Sequence, residues 1–124
     1  MVVYFYPKDD TSGCTREAIE FTELKAGFSS LGVKIIGISP DTAARHDKFK
    51  VKHKLNIQLA ADTEKTTARG YGVWVKKSMY GRQYMGVERS TFLIDAEGKI
   101  SRIWRKVRVA GHAKEVLEAV QSLN

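Results

Sequence analysis

Residues 2–14 read VVYFYPKDDTSGC, and this stretch decides the fold. Val2, Val3, Tyr4, Phe5 and Tyr6 form an unbroken β-branched and aromatic run, stopped by Pro7, which predicts a buried strand. PKDDTSG (residues 7–13) is a loop made of residues that favour turns and helix caps. From Cys14 onward, Ala18, Phe21, Leu24, Phe28 and Leu31 recur at helical spacing until Gly32 ends the run. A strand therefore feeds a loop, the loop feeds a helix, and the cysteine stands at the second junction.

The rest of the chain extends that pattern. Residues 33–39 (VKIIGIS) read as a second strand, and residues 42–54 as a basic, moderately amphipathic helix. Residues 57–61 form a weak third strand, after which Asp62 or Thr63 can cap a short helix running toward Arg69. Residues 70–87, with four glycines and several aromatics, are the least regular stretch. TFLID (91–95) and KISRIW (99–104) flank Ala96-Glu97-Gly98 as a hairpin, and residues 113–123 close the chain as an amphipathic helix. The order β-α-β-α-β-α-β-β-α argues an α/β layered fold with a mixed, mostly parallel central sheet flanked by helices. No repeat, low-complexity tract or linker interrupts it, so one domain is expected over residues 1–124.

Composition excludes several classes. In 124 residues, 43% hydrophobic content is enough for a real core and 28% charge is ordinary, which argues against disorder and for a soluble globular chain. No apolar run approaches the roughly 20 residues of a membrane span, so no membrane role is expected. MVVYFYPKDD carries no basic leader and is not read as a signal peptide, leaving the cytoplasm as the expected compartment. Lys and Arg number 21 against 14 acidic residues, a net +7. The excess gathers in residues 45–54, 76–82 and 99–108, where charges mix with apolar residues, as on a solvated helix face and two exposed strand edges. Nucleic acid, an anionic membrane face or an acidic protein would each suit that charge, and none is selected by it.

A single cysteine excludes a disulfide within these residues and a zinc site built on several thiolates. His46, His53 and His112 are scattered without shared carboxylate context and read as structural or solvated, so neither a metal nor a cofactor is expected. The glycine-rich middle (GYGVW, MYGRQYMG) lacks the Lys-Ser/Thr of a phosphate loop. Trp74, Tyr80 and Tyr84 are instead expected to bound an apolar approach to the reactive loop.

In α/β sheets reactive groups gather where strands end and helices begin. A thiol in the first turn of a helix sits among amides without carbonyl partners at the positive end of the dipole, which favours thiolate. Gly13 allows close backbone approach and angles that other residues resist, Pro7 stiffens the loop entrance, and Thr11 offers a hydroxyl three residues before the sulfur. A buried, inert packing cysteine is the competing reading.

The whole phrase separates the two. YFYPKDDTSGCTREA (residues 4–18) resembles the active-site segment of the peroxiredoxins, with Pro7, Thr11 and Cys14 matching Pro-x-x-x-Thr-x-x-Cys without a gap. Arg89 in ERSTFLID (residues 88–95) matches the family's further essential arginine. IIGISPD, YGVW, MYGRQYMG and ERSTFLIDAEGKI are similar to the subfamily named after bacterioferritin comigratory protein, also called PrxQ. The resemblance implies a thioredoxin-like fold and reduction of hydrogen peroxide and organic hydroperoxides. Cys14 would be the peroxidatic thiolate, Thr11 a partner of the peroxide, Arg89 the stabiliser of sulfur and departing oxygen, and Pro7 a shield. Backbone amides at Gly13 and Cys14 could hold the same oxygens, and Glu17 could orient Arg89.

Three departures from the pattern carry consequences. Many relatives place a resolving cysteine five residues after the peroxidatic one, where this chain has Ile19. Turnover is therefore expected to be of the one-cysteine type, with thioredoxin, glutaredoxin or a small thiol as reductant. Ser12 replaces a frequent proline and is expected to loosen the loop slightly while offering a cap. Members of this family usually carry about thirty residues upstream of the first core strand, so the expectation is either a natural short form with a shortened N-terminus or a start internal to a longer reading frame. A missing segment would leave an exposed flank on the sheet, and a monomer or weak homodimer is expected. A function of another class, a thioredoxin-fold binding module presenting the basic helix to nucleic acid or an acidic partner, has no need of the Pro7–Thr11–Cys14–Arg89 set.

Overall fold

The structure, a computed structural model, describes residues 1–123, so only Asn124 of the expected domain lies outside it. Strand β1 (Val2–Phe5) is buried along its whole length and forms the centre of the sheet. On one side it pairs in parallel with β2 (Ile35–Ser39), which pairs in parallel with β3 (Gln58–Ala61). On the other side it pairs antiparallel with β6 (Ser90–Ile94), which continues antiparallel to β7 (Ile100–Trp104). The order is β3-β2-β1-β6-β7, and only β6 runs against the other four strands. The mixed, mostly parallel sheet expected from the sequence is thus the sheet observed.

Alternation along β1 explains why the run of five apolar residues has no polar face. Val2, Tyr4 and Tyr6 point to one side, where they pack with Phe21 and Phe28 of helix α1 (Ser12–Ser30), Phe49 of α2 (Ala43–His53), and Val116 and Val120 of α4 (His112–Ser122). Val3 and Phe5 point to the other side, against Val73, Val87, Phe92 and Ala68 of α3 (Thr66–Gly70). Gly37 in β2 is required by that packing: a Cβ there would lie 2.7 Å from Cζ of Tyr4, the cross-strand partner.

Two local expectations need correction. Residues 70–87 are regular after all: β4 (Trp74–Met79) and β5 (Arg82–Val87) form a separate two-stranded hairpin around Tyr80-Gly81. Asp62 does cap α3, but from outside it. The helix starts later, with Lys65 at its N-cap, and Asp62 accepts the amides of Thr67 (3.1 Å) and Ala68 (2.8 Å). The basic segment of residues 45–54 lies on α2, where His46 and Phe49 are buried while Arg45, Lys48 and Lys52 face outward, and β7 is an exposed edge strand. Among the described residues, no helix is long and apolar enough to cross a membrane.

Candidate active site

Helix α1 begins two residues before Cys14, with Thr11 as N-cap, because Ser12 and Gly13 are tolerated in a first turn where interior propensity matters little. The first hydrogen bond into the helix runs from the Thr15 amide to the Thr11 carbonyl, 2.8 Å. The amides of Gly13 and Cys14 therefore precede the ladder and point out of the helix end. No side chain caps them: the N-cap makes no side-chain cap bond, and Thr11 donates its hydroxyl proton to the Lys8 carbonyl at 2.8 Å. The capping expected of Thr11 or Ser12 is not observed.

Cys14 is a free thiol and 2% exposed. Arg89 enters from the start of β6 and divides its guanidinium between two acceptors. Nη2 donates to Sγ of Cys14 at 3.3 Å, and Nη1 donates to Oε1 of Glu17 at 2.7 Å. Residues separated by 75 positions meet because β6 lies next to β1, whose end leads into the loop. Burial works against the charge of Arg89, yet Glu17 and Cys14 outweigh it and hold its pKa above the ordinary value. Glu17 is 1% exposed, and burial pushes its carboxyl up to about 7 despite the opposing pull of Arg89. The hydroxyl of Tyr4 is buried as well, in the field of Glu17 and Cys14, and its pKa is raised by burial first and by those neighbours next.

Gly13 is confined by this arrangement. A Cβ on it would stand 3.3 Å from Nη2 of Arg89, so the glycine is needed for closeness. The expectation of unusual backbone angles fails: Gly13 is a helical residue and is absent from the positive-φ glycines. Gly13→Ala is expected to displace the guanidinium by a few tenths of an ångström and to lower the peroxide rate about tenfold, with the helix intact. Stopped-flow oxidation and thermal unfolding of the variant check both halves.

The structure thus brings Cys14, Arg89, Glu17 and Gly13 together. Thr11 is exposed on the loop and Pro7 is half-buried at its entrance, and neither hydrogen-bonds the sulfur. Trp74 does not border the site: it packs against the cluster on the opposite face of the sheet, with the Lys65 ammonium 5.8 Å above its ring. Tyr80 is fully exposed at the hairpin tip. The hairpin instead contributes Lys77, whose stem lies against Gly86 and whose ammonium is disfavoured by burial and by Arg89. The expectation that the histidines lack carboxylate context fails for two of them, since His46 binds Asp9 and His53 binds Asp10. A histidine three residues from Phe49 on a basic helix was the available signal, because that spacing places both on the buried face.

The raised carboxyl of Glu17 has a consequence for stability. Its folded pKa, about 7, lies above the reference 4.5, so the folded state holds that proton more tightly. The contribution is complete below about pH 4.5 and is lost as pH rises to 7, a change of about 3 kcal/mol. Thermal unfolding of Glu17→Gln at pH 5 and pH 8 should lack this decline.

A mixed α/β sheet with a cysteine sulfur at an uncapped helix start and an arginine at hydrogen-bond distance points to a thiol-redox protein. The sequence matches the AhpC/TSA family over residues 1–103. It is 47% identical over its full length to peroxiredoxin Bcp of Bacillus subtilis, covering 79% of that protein. It is 48% identical over 117 residues, 94% of this chain and 78% of the relative, to a putative peroxiredoxin bcp of Coxiella burnetii. Among solved structures it superposes on the Xanthomonas campestris bacterioferritin comigratory protein, whose alkyl peroxide reduction activity is described from trapped intermediate and ligand complexes. The TM-score is 0.93 at 45% identity, over 98% of this chain and 77% of that one. The chain belongs to the AhpC/TSA family, as a peroxiredoxin of the Bcp/PrxQ type with the thioredoxin-like fold. It is a thiol-dependent peroxidase, acting on a peroxide at the expense of a thiol reductant.

Proposed function

We propose that Cys14 is the peroxidatic residue, and that it reduces hydrogen peroxide and organic hydroperoxides in a one-cysteine cycle within a single domain spanning residues 1–124. The observation that carries this reading is the guanidinium of Arg89, 3.3 Å from Sγ and anchored at 2.7 Å on Glu17. The thiolate attacks the terminal peroxide oxygen in line. An S–O bond forms, the O–O bond breaks, sulfur is oxidised by two electrons, and the departing alkoxide or hydroxide takes up a proton. Arg89 holds the sulfur before attack and the departing oxygen during it, with a fixed fork that needs no reorganisation. Gly13 and Cys14 offer amides to the same oxygens. Thr11, its own proton committed to Lys8, retains lone pairs that accept from a hydroperoxide O–H. Pro7 shields the sulfur.

The sulfenic acid then condenses with an external thiol, releasing water, and a second thiol frees Cys14 as a symmetrical or protein disulfide leaves. Thioredoxin, glutaredoxin and glutathione are the candidate reductants, in a cytoplasmic setting that supplies them, and the protein works as a monomer or weak homodimer. Neither a metal nor a cofactor enters this cycle, and no nucleic acid takes part. A coupled assay offering the three reductants in turn tests the cycle: at least one should sustain multiple turnovers. Peroxide without reductant should yield single-turnover oxidation followed by two- and three-oxygen adducts on Cys14 in mass spectra. Multiple turnovers with no thiol present would refute it.

A further inference from the structure

The loop that carries Thr11, Gly13 and Cys14 is bound to α2 at two points. Asp10, in the left-handed region at φ 61, takes Lys52 at 2.7 Å and His53 at 2.8 Å on the exposed surface. The second point is buried. Asp9 and His46 are 2% and 3% exposed, and Oδ2 of Asp9 lies 2.6 Å from Nδ1 of His46.

The partners of His46 constrain where its protons sit. Nδ1 faces a carboxylate, and Nε2 faces the Ala60 carbonyl of β3 at 3.1 Å. A carbonyl cannot donate, so Nε2 carries hydrogen; beside Asp9 as a carboxylate, Nδ1 carries hydrogen too and the ring is an imidazolium. Tyr6 donates its hydroxyl to the remaining oxygen of Asp9, and the Asp9 amide donates to Oδ2 of Asp41 at 2.7 Å. Asp41 is held in turn by the Ser39 hydroxyl (2.6 Å) and by Arg45 (3.0 Å). Asp9, Asp41 and His46 lie close enough together to share a cation, but these oxygens already accept from protein donors.

We infer that His46, as a buried cation, is a positioning residue for peroxide reduction: by holding Asp9 it fixes the loop backbone that places Thr11 and the amides of Gly13 and Cys14 around the sulfur. No atom of His46 or Asp9 touches the sulfur, so the effect runs through the backbone. This inference rests on the peroxidatic role of Cys14. The groups facing His46 from every side are Asp9 on the loop, Tyr6 at the end of β1, Asp41 with Arg45 at the start of α2, and the Ala60 carbonyl. Burial opposes the charge of His46, but Asp9, the Ala60 carbonyl and Asp41 together more than compensate, and the ring holds its proton above the ordinary value of 6.5. The clamp is therefore complete below that pH and is lost as pH rises through the folded value.

The test compares His46→Gln with His53→Gln, using two reactions of the same thiol: oxidation by hydrogen peroxide and alkylation by iodoacetamide. The first needs the placed amides and hydroxyl, while the second needs only a reachable thiolate. His46→Gln should slow oxidation about tenfold or more and leave alkylation within about twofold, and His53→Gln should change neither beyond twofold. A folded His46→Gln that reacts with peroxide at the wild-type rate overturns the inference. So does one that loses both reactions in proportion, which would mean altered ionisation of the sulfur. Should His46→Gln fail to fold, nitrogen-15 spectra of wild-type imidazoles decide: two protonated nitrogens on His46 at pH 7 support the clamp, and a neutral ring at pH 6 overturns it. Failure of wild-type Cys14 to react with peroxide would strike the peroxidatic assignment instead, and is read in the same assay.

Discussion

Cys14→Ser abolishes peroxide turnover, a loss of at least about a thousandfold, while the fold survives. Serine cannot supply a thiolate, and its hydroxyl has no adjacent base to ionise it, so the nucleophile is gone. The exchange replaces sulfur by a smaller acceptor at a 2% exposed position where Arg89 still donates, so the unfolding midpoint should move by only a few degrees. Titration of peroxide-consumed thiol, with unfolding followed in parallel, checks both. Residual turnover in the variant would mean that the chemistry lies elsewhere.

Arg89→Met is the second large effect, and its size can be argued from the two bonds it removes. In the proposed attack, the donor at 3.3 Å from Sγ acts where negative charge moves from sulfur to the departing oxygen, and removing one such donor costs about 10² to 10³ in rate. Arg89→Lys should restore little, because a single ammonium cannot span Sγ and Glu17 together. Arg89→Met also strips Glu17 of its only cationic partner among the described residues. A carboxyl already lifted to about 7 by burial then rises further, and Arg89→Met should unfold more readily at pH 8 than at pH 6. Rates at saturating and limiting peroxide, with melting at both pH values, separate the two consequences.

The parts of the molecule that were legible in the sequence are those whose signals are local. The run from Val2 to Tyr6 is buried on both faces, and its uninterrupted apolarity says so. The cysteine loop, α1 and the β6–β7 hairpin follow from spacing and turn residues, including Gly98 at φ 82. The β4–β5 hairpin was hidden because its strands are mostly exposed on both faces, which removes the alternation. Its turn also opens with Tyr80 at φ 52, where Asn or Asp would have signalled it. The pairing of Arg89 with Cys14 was expected only through family resemblance. The Asp9–His46 pair spans 37 residues and was missed altogether, since no spacing along one element records a contact made when the loop packs against α2. Lys77 was missed for a related reason, as it reads like any other lysine in a basic strand.

Ile19 lies five residues beyond Cys14 on α1, partly buried against the core. Along an intact helix five residues rise about 7.5 Å, farther than a disulfide can bridge. A relative that resolves from that position must melt the opening turns of the helix in every cycle. With isoleucine there, the helix is under no such obligation. In the one-cysteine cycle proposed for Cys14, the oxidised sulfur waits in an unbroken cradle for a thiol from outside, and the pace of recovery passes from a local unwinding step to the abundance and access of that visitor.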